Sequence, residues 1–213
     1  LRAILSQMGC TTHPVAVDAD GLPPDAIPQA ASVVFCTPSH QCPTTVTMPV
    51  ARREALLDRA EAQDMLLVED DYETELPGTA PRPALKALDR GGRVIYVGSF
   101  SKSIFPGLRL GYMVGPAPFI AQARRLRATL LRHPPGLIQR TVAHFLSLGH
   151  YDALLSRTAR AYAERRGEMV RALGARGMVP VMGATGSSLW LRRPGMDMGA
   201  EAVRLRGRGV LVE

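Results

Sequence analysis

Short apolar segments alternate with longer amphipathic ones along the first half of the chain. Three of the short segments are rich in β-branched and aliphatic residues, a pattern typical of buried strands. They are residues 32–36, 65–68 and 94–97. Between the first two, residues 50–63 carry an apolar face at Leu56 and Ala60, which predicts a helix. This order predicts an α/β fold with a mainly parallel sheet flanked by helices.

The second half of the chain is dominated by apolar residues at helical spacing. Predicted helices cover residues 1–8, 118–132, 137–148, 151–174 and 197–206. Further strands are predicted at 13–17, 186–192 and 210–212. We assign residues 1–145 to a large domain whose N-terminal part lies outside the chain, and residues 146–213 to the start of a smaller α+β C-terminal domain. We therefore expect the chain to be an internal piece of a longer protein.

The composition is that of a soluble globular protein, with 46% hydrophobic and 21% charged residues. No apolar run approaches the roughly 18 residues that a membrane helix needs, so we expect no membrane association. The three cysteines form no CxxC pair, which argues against a disulfide framework and against a zinc site. We expect a cytoplasmic protein without a metal site.

The net charge of +7 comes largely from arginines between Arg124 and Arg208. A basic balance permits binding to nucleic acid. These arginines are spread along predicted helices without interleaved aromatic residues. That distribution favours a solvated helix face over direct nucleic-acid binding by this segment.

Polar loops follow each of the three predicted strands of the first half. They are residues 37–43, 69–72 and 98–109. In an open α/β sheet, ligands bind at the carboxyl ends of the parallel strands, so we expect these loops to meet around one ligand. His40 stands in the first loop, and ordinary packing is the alternative to a ligand contact for this side chain.

The chemistry of the three loops matches the needs of pyridoxal phosphate. The cofactor's aldehyde needs a lysine amine, its phosphate needs hydroxyls and a guanidinium, and its pyridine nitrogen needs a carboxylate. The loops supply Lys102, Ser99, Ser101 and Arg109, together with Asp70, Asp71 and Tyr72. Neither a P-loop GxxxxGK[ST] nor a dinucleotide-binding GxGxxG motif is present. A Ser/Gly loop with ordinary surface cations is the plainer interpretation of residues 98–109 taken alone.

These residues also carry a family resemblance. The segment Ser99-Phe-Ser-Lys-Ser-Ile-Phe-Pro-Gly-Leu-Arg-Leu-Gly-Tyr112 closely resembles the cofactor-lysine motif of fold-type-I pyridoxal-phosphate aminotransferases. The stretches Thr37-Pro-Ser-His-Gln-Cys-Pro43 and Val68-Glu-Asp-Asp-Tyr-Glu-Thr-Glu75 resemble those of the aminotransferase-like domain of MocR/GabR-type bacterial transcription regulators. In that family, a GntR-type winged-helix DNA-binding domain precedes this one. Residues 132–141 further resemble the subgroup that regulates taurine or ectoine use.

The resemblance implies a role for each matching residue. Lys102 matches the lysine that bonds the cofactor. Ser99, Ser101 and Arg109 match the phosphate ligands, and Tyr72 matches the residue that contacts the ring hydroxyl. Either Asp70 or Asp71 could bind the pyridine nitrogen. Neighbouring strand residues point to opposite sides of the sheet, so only one of them can face the ring. The resemblance favours Asp70.

One stretch departs from the aminotransferase pattern. Aminotransferases usually carry Asn-Pro-x-Gly near the ring oxygen, and here the corresponding residues are Cys42-Pro-Thr-Thr45. The asparagine contact is absent, and Thr45 stands where a glycine turn is expected. This departure puts efficient transamination in doubt.

The resemblance therefore implies an effector-sensing domain. An amine or amino-acid effector would form an external aldimine with the cofactor, and the change would alter DNA binding by a winged-helix domain outside this chain. A homodimer is expected, since homologous folds complete each site from both subunits. The alternatives are a genuine aminotransferase acting on an amino acid and a degenerate binding module without cofactor.

Overall fold

The computed structural model describes residues 1–73, 82–181 and 186–212. Its main sheet has four strands in the order β1, β2, β3, β4. Their bounds are β1 Val33–Cys36, β2 Leu66–Asp71, β3 Val94–Ser99 and β4 Gly111–Val114. The first three strands are parallel, and β4 runs antiparallel to β3. The predicted α/β class with a mainly parallel sheet is confirmed.

The described part of the chain contains eight α-helices and a second, two-stranded antiparallel sheet. The helices are α1 Arg2–Gln7, α2 Val50–Ala62, α3 Leu85–Leu88, α4 Phe100–Ser103, α5 Ala117–Leu130, α6 Gly136–Ser147, α7 His150–Gly174 and α8 Met198–Arg206. The short strands are β5 Val179–Pro180 and β6 Leu191–Arg192. None of the helices in the described ranges is long and apolar enough to span a bilayer.

The core lies between helix α2 and one face of the main sheet. Leu56 and Ala60 of α2 are fully buried, as are Leu67 of β2 and Val94 of β3. The 3.6-residue period of the helix and the two-residue period of the strands bring these apolar side chains onto facing surfaces. Each large side chain buried in this way contributes about 1.5–3 kcal/mol to folding. This core fixes the positions at which β2 and β3 end.

Two buried carboxylates order the chain around β3. Glu69, which is fully buried, accepts hydrogen bonds from the backbone N–H groups of Leu85 and Lys86, both at 2.9 Å, and so caps helix α3. Asp89 accepts from the N–H groups of Arg93 and Val94 at 2.9 and 3.0 Å, at the start of β3. These bonds hold the connection between β2 and β3 in one register.

Several local predictions differ from the structure. Residues 13–17 form no strand, because their alternation arises from Val15 and Val17 packing against the core without a partner strand. Of the predicted strand over 186–192 only β6 is present, and residues 210–212 are not in a strand. Strand β4 was not predicted. The predicted helices over 50–63, 118–132, 137–148, 151–174 and 197–206 are confirmed to within two residues at each end.

Candidate functional site

Strands β2 and β3 end side by side and present polar residues on one face. Asp70 is paired with Val97, and Ser99 follows Val97 by two positions. Because strand side chains alternate, Asp70 and Ser99 lie on the same face of the sheet. Asp71 is paired with Gly98 and lies on the opposite face, where its Oδ2 accepts a hydrogen bond from the Tyr96 hydroxyl at 2.7 Å.

The two neighbouring aspartates therefore have different surroundings. Asp71 is hydrogen-bonded to Tyr96, and burial, followed by this carboxylate, raises the pKa of the Tyr96 phenol. The side chain of Asp70 is exposed at the strand end, and partial desolvation there raises the pKa of its carboxyl. Of the pair, Asp70 is the one accessible to a ligand.

Lys102 lies on the one-turn helix α4, directly after β3. Ser99 is the N-cap of this helix, and its Oγ accepts a hydrogen bond from the Ser101 N–H at 3.1 Å. The Lys102 side chain is exposed and borders a small cavity of about 30 Å³. The cavity is also lined by Glu73, Ser103, Leu155, Thr158, Tyr162 and Ser187. The sequence contains two lysines, and the other, Lys86, is paired with Asp89 at 2.8 Å.

Arg109 follows a single turn of 3-10 helix, Pro106–Leu108, and adopts a left-handed backbone with φ of 49°. Buried Leu108 anchors this turn, while the Arg109 side chain stays exposed. The Phe100 N–H donates to the Leu110 carbonyl at 3.0 Å and closes the segment onto α4. Lys102 and Arg109 are thereby presented by the same closed segment at the end of β3.

The strand pair β3–β4 packs too closely for side chains at two glycines. A Cβ on Gly111 would lie 2.7 Å from the Gly98 carbonyl oxygen, and one on Gly98 would lie 2.3 Å from Cζ of Tyr112. The Tyr112 ring also packs against Phe100 at a centroid distance of 5.2 Å. The two glycines of the motif thus allow the close approach that places α4 at the strand end.

Arg53 organises the loop after β1, and sequence reasoning missed this residue. It is fully buried in α2 and donates to the carbonyls of Met48 at 3.0 Å, Pro38 at 3.0 Å and Pro83 at 2.9 Å. Its charge also acts on buried Glu69 and opposes the rise in the pKa that burial causes in that carboxyl. No local sequence signal reveals it, because its partners lie up to 30 positions away.

The same loop brings Cys42 and Thr45 to the site. Cys42 lies near Tyr72, and burial, followed by the electrostatic effect of Cys42, raises the pKa of the Tyr72 phenol. Thr45 is buried and has φ of 64°, a conformation that glycine adopts easily and that a β-branched residue rarely adopts. The backbone therefore keeps the turn expected of a glycine although the residue is threonine.

A buried histidine and a buried glutamate lie beside Tyr72. The side chains of His40 and Glu73 are 4% and 7% exposed, and His40 Nε2 lies 3.3 Å from Glu73 Oε2. The His40 ring meets the Tyr72 ring edge-on at a centroid distance of 6.0 Å. Burial lowers the pKa of His40, and the Glu73 charge opposes this effect. Glu73 was not among the predicted site residues, although it directly follows Tyr72 in the acidic stretch.

A family model for aminotransferase class I and II matches residues 3–211 of the chain. The chain is 54% identical over 216 residues to the HTH-type transcriptional regulator TauR of Rhodobacter capsulatus, a match that covers 100% of this chain and 45% of TauR. It is 37% identical over 164 residues to the probable rhizopine catabolism regulatory protein MocR of Rhizobium meliloti, with 76% of this chain and 33% of MocR covered. The chain thus spans less than half the length of these relatives.

Solved aminotransferase structures share the fold. The Pyrococcus horikoshii kynurenine aminotransferase, crystallised with PMP, superposes with a TM-score of 0.84 at 29% identity, covering 92% of this chain and 52% of that one. The α-aminoadipate aminotransferase LysN of Thermus thermophilus, complexed with N-(5'-phosphopyridoxyl)-L-leucine, gives a TM-score of 0.84 at 26% identity, covering 95% of this chain and 55% of that one. Both structures carry pyridoxal-derived groups.

Proposed function

We propose that this chain, which belongs to the aminotransferase class I and II family, is the effector-sensing domain of a bacterial transcription regulator with pyridoxal phosphate as its cofactor. The observation that carries the proposal is the 54% identity to a transcriptional regulator along the whole chain. The match extends along the whole chain, so the three strand-end loops lie within the matched region.

The residues at the strand ends fit the cofactor. When bound, pyridoxal phosphate supplies an aldehyde that bonds amines and a ring that withdraws electrons. We assign Lys102 as the amine that bonds the aldehyde, since the only other lysine of the sequence is held by Asp89. Asp70 is assigned to the pyridine nitrogen because Asp71 lies on the other face of the sheet.

The remaining ligands follow from their positions around Lys102. Ser99 and Ser101 lie at the start of α4, and Arg109 follows on the same closed segment with an exposed guanidinium, so these three are assigned to the phosphate. Tyr72, with its raised phenol pKa, is assigned to the ring hydroxyl as a hydrogen-bond donor. The hydroxyls, the guanidinium and the amine are all carried by residues 99–109.

We further propose that an amine or amino-acid effector replaces Lys102 on the cofactor, and that this exchange changes the affinity of the full protein for DNA. DNA would be bound through a domain outside this chain, in a cytoplasmic homodimer. Taurine is the first effector to test, since residues 132–141 resemble the taurine and ectoine subgroup. The boundary near residue 145 between a large and a small domain is retained in the proposal.

A genuine aminotransferase is the second candidate, and the solved aminotransferases of the same fold favour it. The residues around Tyr72 weigh against it. Cys42 stands at the position of the usual asparagine and lies near Tyr72, and a thiol has no amide to donate to the ring oxygen. A weaker contact to the ring oxygen is acceptable in a sensor, which needs exchange of amines but not repeated turnover.

The experiment is a titration of the full-length protein, loaded with pyridoxal phosphate, against taurine and a panel of amino acids. We expect a saturable change in the cofactor spectrum and a matching change in affinity for DNA fragments selected from a random pool. Oxo acid should not exceed one equivalent per protein. Sustained production of oxo acid, without any effect on DNA affinity, would show the aminotransferase to be the correct alternative.

A further inference from the structure

The buried pair of His40 and Glu73 is one place where the candidate cofactor site contacts the second half of the chain. Glu73 directly follows Tyr72, and the His40 ring packs edge-on against the Tyr72 ring. Glu73 also accepts a hydrogen bond from the Ser187 N–H. The pair therefore bridges β2 and the segment Gly186–Ser188, which is 114 positions away from it along the chain.

The segment Gly186–Ser188 fits closely against this pair. Gly186 has φ of 90°, and a Cβ there would lie 2.4 Å from Cε1 of His40 and 3.1 Å from Oε1 of Glu73. Arg166 of α7 also holds the segment, donating to the Ser188 carbonyl at 2.7 Å and to that of Gly186 at 3.5 Å. The segment is thus contacted both by the His40–Glu73 pair and by Arg166 of helix α7.

Polar atoms of this cluster are buried with hydrogen-bonding capacity unused. Among the described residues, Ser103 Oγ has no hydrogen-bond partner, and His40 Nε2 and Glu73 Oε2 have none beyond their 3.3 Å contact with each other. A buried carboxylate is destabilising unless hydrogen-bond donors or positive charges compensate it, so its geometry responds to any nearby charge. Two positive charges act on this cluster: Arg166, which is bonded to the Ser188 carbonyl, and Lys102, whose side chain lines the same 30 Å³ cavity as Glu73 and Ser103.

We propose that His40 and Glu73 are positioning residues that transmit the state of Lys102 to the segment Gly186–Ser188. This inference rests on the proposed function, because it takes Lys102 as the amine that bonds the cofactor. A free Lys102 ammonium competes with the Ser187 N–H for the Glu73 carboxylate. When Lys102 is bonded to the cofactor aldehyde, the mobile ammonium leaves the cavity and Glu73 holds Ser187 more firmly.

An effector amine reverses this change. The effector enters as an ammonium and forms the bond to the aldehyde carbon, while the bond from that carbon to Nζ of Lys102 breaks and Lys102 leaves as an ammonium. Three protons arrive with the effector nitrogen and three leave with Nζ, so no proton or electron is gained or lost. The ammonium of Lys102 returns to the cavity and loosens the hold of Glu73 on Ser187. Movement of the second half of the chain would follow from this contact.

The test measures backbone hydrogen exchange of residues 186–192 in the full-length protein, first free of cofactor and then loaded with pyridoxal phosphate. We expect loading to slow exchange about tenfold, a factor equivalent to about 1.4 kcal/mol. Glu73→Gln should reduce this slowing to about twofold or less while pyridoxal phosphate still bonds Lys102. The matched control is Glu61→Gln, an exposed glutamate of α2, which should retain the full effect.

Absorbance of the bound cofactor distinguishes a failure of this inference from a failure of the proposed function. If the band forms and loading slows exchange as much in Glu73→Gln as in the unaltered protein, the pair does not have the proposed role, while the sensor proposal stands. The same conclusion follows if loading with the cofactor does not change exchange in the unaltered protein. If no band forms at all, the sensor proposal fails and this inference fails with it. Should Glu73→Gln not fold, His40→Gln replaces it, with the same expected loss.

Discussion

Replacing Arg53 by methionine tests what holds the loop that follows β1. The guanidinium is fully buried and donates to three backbone carbonyls, those of Met48, Pro38 and Pro83. Methionine fills a similar volume but donates no hydrogen bond. The substitution therefore leaves three carbonyls inside the protein without this donor, and the loop carrying His40 loses its main anchor.

The magnitude follows from the number and burial of these bonds. A hydrogen bond to a charged group contributes about 1.5–3 kcal/mol, and each buried polar group left without its partner costs about 1–3 kcal/mol. We take about 4 kcal/mol for Arg53→Met, since rearrangement of the loop recovers part of the loss. At about 2 °C per kcal/mol, the melting temperature should fall by roughly 8 °C. Arg53→Lys should lose most of the same stability, because an ammonium cannot serve three carbonyls set around a planar fork.

The neighbouring arginine of the same helix provides the control. Arg52 pairs with Asp18 at 2.5 Å at the surface, and exposed ion pairs contribute little. The assay is differential scanning calorimetry of the full-length variants at neutral pH. Arg52→Met should lower the melting temperature by less than about 2 °C. Equal shifts for the two variants would refute the reasoning that burial and the three carbonyl contacts set the cost.

Three further predictions concern the strand ends. Asp70→Asn should weaken the retention of pyridoxal phosphate at least about tenfold, as measured by equilibrium dialysis. Asp71→Asn should retain the cofactor and lower the free energy of unfolding by about 1 kcal/mol, because its bond to Tyr96 is weakened. Equal retention by the two variants would contradict the assignment. Burial raises the pKa of Asp89, but the hydrogen bonds from Lys86 and two backbone N–H groups outweigh burial, and the pKa is lowered overall. The charged Asp89 therefore stabilises the fold fully above the unfolded pKa of 3.8, and this stabilisation is lost as pH falls through the lower folded pKa. The stability gap between the unaltered protein and Asp89→Asn in urea unfolding should therefore be constant above about pH 5 and shrink towards pH 3; a constant gap throughout would exclude this role. Gly111→Ala should cost about 2 kcal/mol by the same method, because its Cβ meets a backbone oxygen, and a neutral effect would contradict the close approach of β3 and β4.

The fold could be predicted from the sequence where one segment buries a whole face. Helix α2 and the three parallel strands carry apolar residues at the period of their own structure, so their patterns were sufficient. Strand β4 was missed because its residues are exposed and show no alternation of burial. Strands β5 and β6 are two residues long, too short for any period to be visible.

The candidate site was predictable only in part, for a different reason. Lys102 and its neighbours are contiguous in the sequence, so their grouping needed no knowledge of the fold. The difference between Asp70 and Asp71 depends on Tyr96, which lies on another strand. The pairing of His40 with Glu73 and of Glu73 with Ser187 depends on contacts between segments far apart in the chain. Such contacts arise from the fold and leave no local pattern.

The central claim is that Lys102 bonds pyridoxal phosphate, and absorbance of the full-length protein tests it most directly. The loaded protein should show the band of a lysine-bound cofactor at the violet edge of the visible spectrum. Lys102→Ala should abolish that band, and Lys86→Ala, which removes the other lysine of the chain, should leave it in place. A spectrum unchanged by Lys102→Ala would contradict the assignment of the site.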